Sequence, residues 1–112
     1  MLTIYHNPRC SKSRQTLALI EENNQEVSIV EYLKAPLDKT TIDSLLSRLK
    51  VSPIEMMRTK ESEFKEQNLA NATDNQLITA MVNTPKLIER PIVSSDTKAV
   101  IGRPPENVLT LF

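Results

Sequence analysis

Apolar and polar positions along the chain fall into three regimes. The first is strand, helix, strand. Leu2-Thr3-Ile4-Tyr5 is a short strand, and residues 13–23 read as a helix with Leu17, Ile20 and Ala18 or Leu19 available to an inner face. Asn23-Asn24 ends that helix, and Val27 to Tyr32, rich in β-branched residues, reads as a second strand. This succession implies a right-handed crossover with the two strands parallel.

The second regime begins after Pro36. Ile42, Leu45, Leu46 and Leu49 repeat at the spacing of one helix face, with Asp38 or Thr40 as the cap. Ser52-Pro53-Ile54-Glu55 is a capping box with proline at the first helical position, and it opens a helix carrying Met56, Met57 and Arg58. Thr73-Asp74-Asn75-Gln76 is a second capping box, for a helix that buries Leu77, Ile78, Met81 and Val82. Pro85 starts one more turn. Residues 38–88 are thus expected to be all helical. Strand character returns at Pro91-Ile92-Val93-Ser94 and Lys98-Ala99-Val100-Ile101, a hairpin turned by Ser95-Asp96-Thr97 and ended by Gly102, the only glycine. Pro104-Pro105-Glu106 opens a last helix with Val108, Leu109 and Leu111 on its apolar side. The order is β-α-β, a helical insertion, then β-β-α. It reads as one α/β domain over residues 1–112.

Composition narrows the function classes. Fourteen basic and fourteen acidic residues cancel, so no global charge draws the chain to nucleic acid or an anionic membrane. No apolar run approaches the ~20 residues that cross a bilayer, and no basic-then-apolar leader is visible at the N-terminus. One cysteine excludes an internal disulfide. A lone thiol belongs in a reducing compartment, and the chain reads as cytoplasmic.

That cysteine lies in His6-Asn7-Pro8-Arg9-Cys10-Ser11-Lys12-Ser13-Arg14, between the first strand and the first helix, beside the only histidine. Helix-start amides carry partial positive charge and favour an anion. With Lys12 and Arg14 alongside, Cys10 is expected to have a lowered pKa and to be partly thiolate at neutral pH. A lone cysteine is often a small buried hydrophobe, but its polar and turn-forming neighbours place this one near solvent. Two familiar motifs are absent. Cys-x-x-Cys needs a thiol where Ser13 stands, and the phosphatase loop Cys-x5-Arg needs arginine where Thr16 stands. Any disulfide formed in turnover must therefore be intermolecular. His6 is either a general base or a structural hydrogen-bonding residue. One Cys and one His are too few for a structural zinc, so no metal is expected. Arg58, Arg90 and Arg103 lie at element boundaries, and each offers the planar fork that suits a tetrahedral oxyanion.

The stretch Tyr5 to Arg14 closely resembles the active-site loop of the glutaredoxin-coupled arsenate reductases, the ArsC family. Met57-Arg58-Thr59-Lys60-Glu61, Glu89-Arg90-Pro91-Ile92-Val93 and Ile101-Gly102-Arg103-Pro104 match further motifs in the same order, over nearly the whole chain. Within the family the chain is most similar to the short YfgD-like branch. Ser11-Lys12 stands where many members have Gly-Thr. The resemblance implies a thioredoxin-like fold with a helical insertion and a cis bond before Pro91. It implies that Cys10 is the nucleophile, that Arg58, Arg90 and Arg103 bind the oxyanion, and that His6, Ser13 and Arg14 support the site. It further implies reduction of arsenate to arsenite with glutathione as co-substrate and glutaredoxin as partner. No bound cofactor, nucleic acid or membrane is involved, and the protein is expected to be a monomer. Two other readings share the fold. One is an Spx-type regulator that binds RNA polymerase, although Ser13 removes the Cys-x-x-Cys switch many of them carry. The other is a thiol reductase with another substrate, such as a glutathionylated protein.

Overall fold

β1 (Leu2–Tyr5) alternates its side chains across the sheet, with Leu2 and Ile4 buried and Thr3 and Tyr5 half-buried. It is one of the two inner strands of the sheet, paired on both edges. β2 (Val27–Val30) pairs with it in parallel, Leu2 opposite Val27. β3 (Ile92–Ser94) pairs with its other edge in antiparallel fashion, and β4 (Ala99–Ile101) pairs with β3. The sheet order is β2-β1-β3-β4. This is the thioredoxin-like β-α-β and β-β-α arrangement, as the resemblance implies. The computed structural model describes all of residues 1–112. The chain divides into two compact units, Met1–Ala35 with Arg90–Phe112, and Pro36–Glu89.

In the first unit, α1 (Ser11–Glu22) and the C-terminal 3-10 helix (Pro105–Leu111) pack together. Their apolar side chains meet Leu2, Ile4 and Val93 of the sheet in a core that includes Ile20 and Val108, with Leu17, Leu19, Val27, Val100 and Leu111 around it. α1 starts two residues earlier than its apolar pattern suggests. Its buried residues are Ser13, Thr16 and Ile20, while Leu17 and Leu19 are half-buried and Ala18 is exposed. Two of the three buried positions are polar, which hid the inner face from a hydrophobic count. β2 ends at Val30 rather than Tyr32, and Tyr32 is buried in the turn that follows. In the last helix Leu109 is exposed, contrary to expectation, while Pro105 and Val108 are buried and Leu111 is half-buried. A 3-10 helix repeats every three residues, so Pro105, Val108 and Leu111 share one face and Leu109 falls off it.

The second unit contains no strand. α2 (Lys39–Leu49) begins at Asp38, whose carboxylate accepts from the Thr41 amide at 2.8 Å. The first capping box forms, but it opens only one 3-10 turn, Pro53–Met56. Met57 and Arg58 lie beyond it in extended chain, where Met57 bridges Ile88. A short α3 (Ser62–Glu66), which no periodic signal announced, buries Phe64. α4 (Asp74–Asn83) starts at the second capping box and buries Leu77, Ile78, Ala80 and Met81. No helix is long and apolar enough to cross a membrane.

Candidate active site

The chain leaves β1 and turns into α1 through a loop closed by its own backbone. The His6 amide donates to the Val30 carbonyl at 2.8 Å, and the Cys10 amide donates to the Asn7 carbonyl at 3.0 Å. The Arg9 amide donates to the Asn7 side-chain oxygen at 3.0 Å. Asn7 therefore supplies both acceptors of the turn, a role common for asparagine. Cys10 is the residue before the first helical turn, with φ −93° and ψ 123°. Its carbonyl accepts from the Arg14 amide at 3.0 Å.

The Cys10 side chain is only 8% exposed, not near solvent as the polar neighbours suggested. Arg9, Ser11 and Lys12 are exposed while Cys10 is buried, and a residue from the far end of the chain lies against the sulfur. Arg103 Nη2 donates to Cys10 Sγ at 3.6 Å, and its Nε donates to the Arg90 carbonyl at 2.8 Å. Burial pushes the Cys10 thiol up. The Ser13 amide, the Arg90 guanidinium, the Lys12 amide and the Arg103 guanidinium pull it down, and together they hold it below its ordinary value. The lowered pKa expected for Cys10 is present, but its charges come from Arg90 and Arg103. Lys12 contributes through its amide. Arg14 is exposed and donates to the Pro8 carbonyl at 2.9 Å, bracing the loop.

Ser13 is fully buried and holds this loop together. Its hydroxyl oxygen accepts from the Asn7 amide at 3.1 Å and lies 2.6 Å from His6 Nδ1. The Ser13 hydroxyl faces the loop, and the Ser13 amide serves the sulfur. Burial lowers the His6 pKa, the Glu31 carboxylate opposes that, and Arg14 adds to it, leaving a net lowering. We assign the proton of the neutral ring to Nε2, because the Asn7 amide already donates to Ser13 Oγ and the hydroxyl proton is directed at Nδ1. His6 thus anchors the loop through Ser13.

Gly102 explains how the two arginine-bearing ends approach α1. A Cβ there would lie 2.6 Å from Thr16 Oγ1 and 2.8 Å from Pro91 Cγ. Its φ is not positive, so the requirement is close approach rather than a left-handed backbone. The Gly102 amide donates to the Pro91 carbonyl at 2.9 Å. The bond before Pro91 is cis, as the resemblance implies, and so is the bond before Pro104, which was not anticipated.

Cys10, His6, Ser13, Arg90 and Arg103 all belong to the first unit. Arg58 belongs to the second, where it is half-buried, pairs with Glu61, and donates its backbone amide to the Leu87 carbonyl at 2.7 Å. Asn7, Thr16 and Glu61 were not singled out from sequence. The only signal for Thr16 was its spacing of three from Ser13 on one helix face. No group of three His, Cys, Asp or Glu side chains gathers where a metal ion could be held.

The arrangement can hold a thiolate beside guanidinium groups at a helix start, which suits nucleophilic attack on an oxyanion. A profile of the ArsC family matches residues 5–111. The chain is 54% identical over 111 residues to the Escherichia coli K12 protein called uncharacterized protein YfgD, covering 96% of this chain and 93% of that one. It is 44% identical over 112 residues to the arsenate reductase of Haemophilus influenzae, covering 97% of each. The solved structure of the arsenate reductase from Vibrio cholerae superposes with a TM-score of 0.95 at 43% identity, over 99% of this chain and 97% of that one.

Proposed function

The chain belongs to the ArsC family, and on that premise we propose that it is a glutathione- and glutaredoxin-dependent arsenate reductase with the Cys10 thiolate as its nucleophile. One observation carries the reading. The single thiol of the chain lies at the start of α1 with the Arg103 guanidinium 3.6 Å from its sulfur and its pKa lowered.

In the proposed reaction, the Cys10 sulfur attacks arsenic(V), an As–OH bond breaks, and water leaves. Arg90 and Arg103 bind the arsenate oxygens and offset the charge that builds during attack. For Arg58 as a third oxyanion ligand, the support is its motif, Met57-Arg58-Thr59-Lys60-Glu61. Glutathione then condenses with the thiol-bound arsenate, and a second water leaves. The glutaredoxin thiol attacks the glutathione sulfur. A glutaredoxin–glutathione disulfide forms, the electron pair of the broken As–S bond reduces arsenic(V) to arsenic(III), and the thiol proton moves to an arsenic oxygen. Hydrolysis of the remaining As–S bond frees arsenite and returns the Cys10 thiol. This chain's residues perform the first capture, while the two electrons come from the external thiols. Because the reaction needs reduced glutathione, the cytoplasm is the compartment proposed for it.

The test is NADPH consumption that depends on arsenate, in a mixture with glutathione, glutaredoxin and glutathione reductase. Turnover with the native chain and none with Cys10→Ser is the expected result. Turnover that survives Cys10→Ser would remove the thiol from the mechanism.

A further inference from the structure

Arg103 lies where the chain passes from β4 into the C-terminal 3-10 helix, outside regular structure. A guanidinium on a long flexible stem stays in one place only when its backbone is held. Two of the contacts around it have been described, Gly102 N–H to the Pro91 carbonyl and Arg103 Nε to the Arg90 carbonyl. A third comes from the helix that follows. The Asn107 side-chain amide donates to the Ile101 carbonyl at 3.2 Å and to the Arg103 carbonyl at 3.1 Å. The Arg103 amide donates back to the Ile101 carbonyl at 2.9 Å. One carboxamide nitrogen therefore gathers the two carbonyls that bracket Gly102–Arg103.

Asn107 is itself fixed from both sides. Its amide donates to the Pro104 carbonyl at 3.0 Å, and its carbonyl accepts from the Thr110 hydroxyl at 2.9 Å. The residue is exposed, and its side-chain hydrogen bonds go to those two carbonyls. Packing does not account for asparagine there. Its two donated bonds do, since a carboxamide has two N–H groups and a carboxylate has none.

We propose that Asn107 is a positioning residue for Arg103: its carboxamide clamps the Ile101 and Arg103 carbonyls and so keeps the guanidinium on the Cys10 sulfur. The proposal rests on the reading of Cys10 as the reacting group. It does not need arsenate to be the substrate, because the state of the thiol can be read directly.

The experiment is the rate of Cys10 alkylation by iodoacetamide against pH, in five proteins: native, Asn107→Leu, Arg103→Ala, the double variant and a structural control. Asn107→Leu keeps the side-chain size and adds no charge. Its alkylation midpoint is expected to rise by about half a pH unit, in the same direction as in Arg103→Ala. In the Arg103→Ala background, Asn107→Leu is expected to add nothing, because a residue acting through Arg103 has no effect once the guanidinium is gone. Leu109→Ala serves as the structural control, since it alters an exposed side chain of the same helix that makes none of the clamp's hydrogen bonds, and its midpoint should match the native one. If Asn107→Leu does not fold, Asn107→Ala replaces it, with folding checked by thermal melting. An unmoved midpoint in the folded Asn107 variant overturns the proposal. So does an equal rise with and without Arg103, or an equal rise in Leu109→Ala. In the coupled arsenate assay the same variant should raise KM several-fold with a smaller change in kcat. No arsenate turnover in the native protein would defeat the functional reading and leave the alkylation result to decide this one.

Discussion

Arg103 Nη2 lies 3.6 Å from Cys10 Sγ, across 93 positions of sequence. This contact joins the start of α1 to the end of β4 and gives the thiolate a counter-charge that its own loop does not supply. Both residues are held by backbone: Cys10 by the Asn7 carbonyl, Arg103 by the Arg90 carbonyl through its Nε.

Replacing Arg103 by alanine is expected to raise the alkylation midpoint of Cys10 and to lower kcat/KM for arsenate by about 10²-fold, the scale of losing one preorganised donor. Arg103→Lys should recover part of the pKa effect and little of the turnover, because an ammonium lacks the planar fork. Stopped-flow alkylation and the coupled assay measure the two separately.

The reactivity of Cys10 should fall as pH drops through its lowered pKa. In that range the folded thiol releases its proton before the unfolded one does, so the unfolded state binds more protons. The stability contributed by Cys10 is therefore fully present above about pH 8.5, the value for a free thiol, and is lost as pH falls through the folded value. Urea unfolding at a series of pH values should show this slope in the native chain and not in Cys10→Ser.

His6 gives a second window with the same sign. Its folded pKa is lowered, chiefly by burial, so the unfolded chain takes up the proton first as pH falls. Its contribution is full above about pH 6.5 and is lost as pH falls through the folded value. It is the only histidine, so His6→Asn should flatten the stability profile in that range, as read by thermal melting.

Ser13→Ala removes the acceptor of the Asn7 amide and the partner of His6 Nδ1 together. Leaving these largely buried groups unsatisfied is expected to cost about 1–3 kcal/mol of stability. The loop should loosen with it, and alkylation of Cys10 should shift toward higher pH because the helix-start amides lose their fixed orientation. Chemical denaturation and alkylation report the two effects.

Gly102→Ala is expected to destabilise the fold by about 1–3 kcal/mol through overpacking against Thr16 and Pro91. Adding Thr16→Ala should recover part of that loss, since Thr16 supplies the nearest of the contacts. A double-mutant cycle in urea measures the coupling.

Much of both units was legible where the signals are local. β1 was found to the residue, and Asn23 closes α1 as expected. Both capping boxes form, since each depends on four consecutive residues. Signals that depend on distant partners were read less well. The inner face of α1 carries Ser13 and Thr16, which are polar but bonded, so apolar periodicity missed it. The one-turn helix at Pro53 stops at Met56, because Met57 is taken into a bridge with Ile88. Leu109 falls outside the buried face because the last helix repeats every three residues, not every 3.6.

By itself, the order of residues determined most of the elements, the parallel pairing around α1, and the placing of one thiol at a helix start, because turns, caps and periodicities act over a few positions. It also marked Arg90 and Arg103 by motif. Only the tertiary structure decided which charges reach the sulfur, that Cys10 is covered, and that Ser13 faces the loop with its hydroxyl and the thiol with its amide. Charge and hydrogen bonding act over a few ångströms of space, and chain separation does not encode those distances.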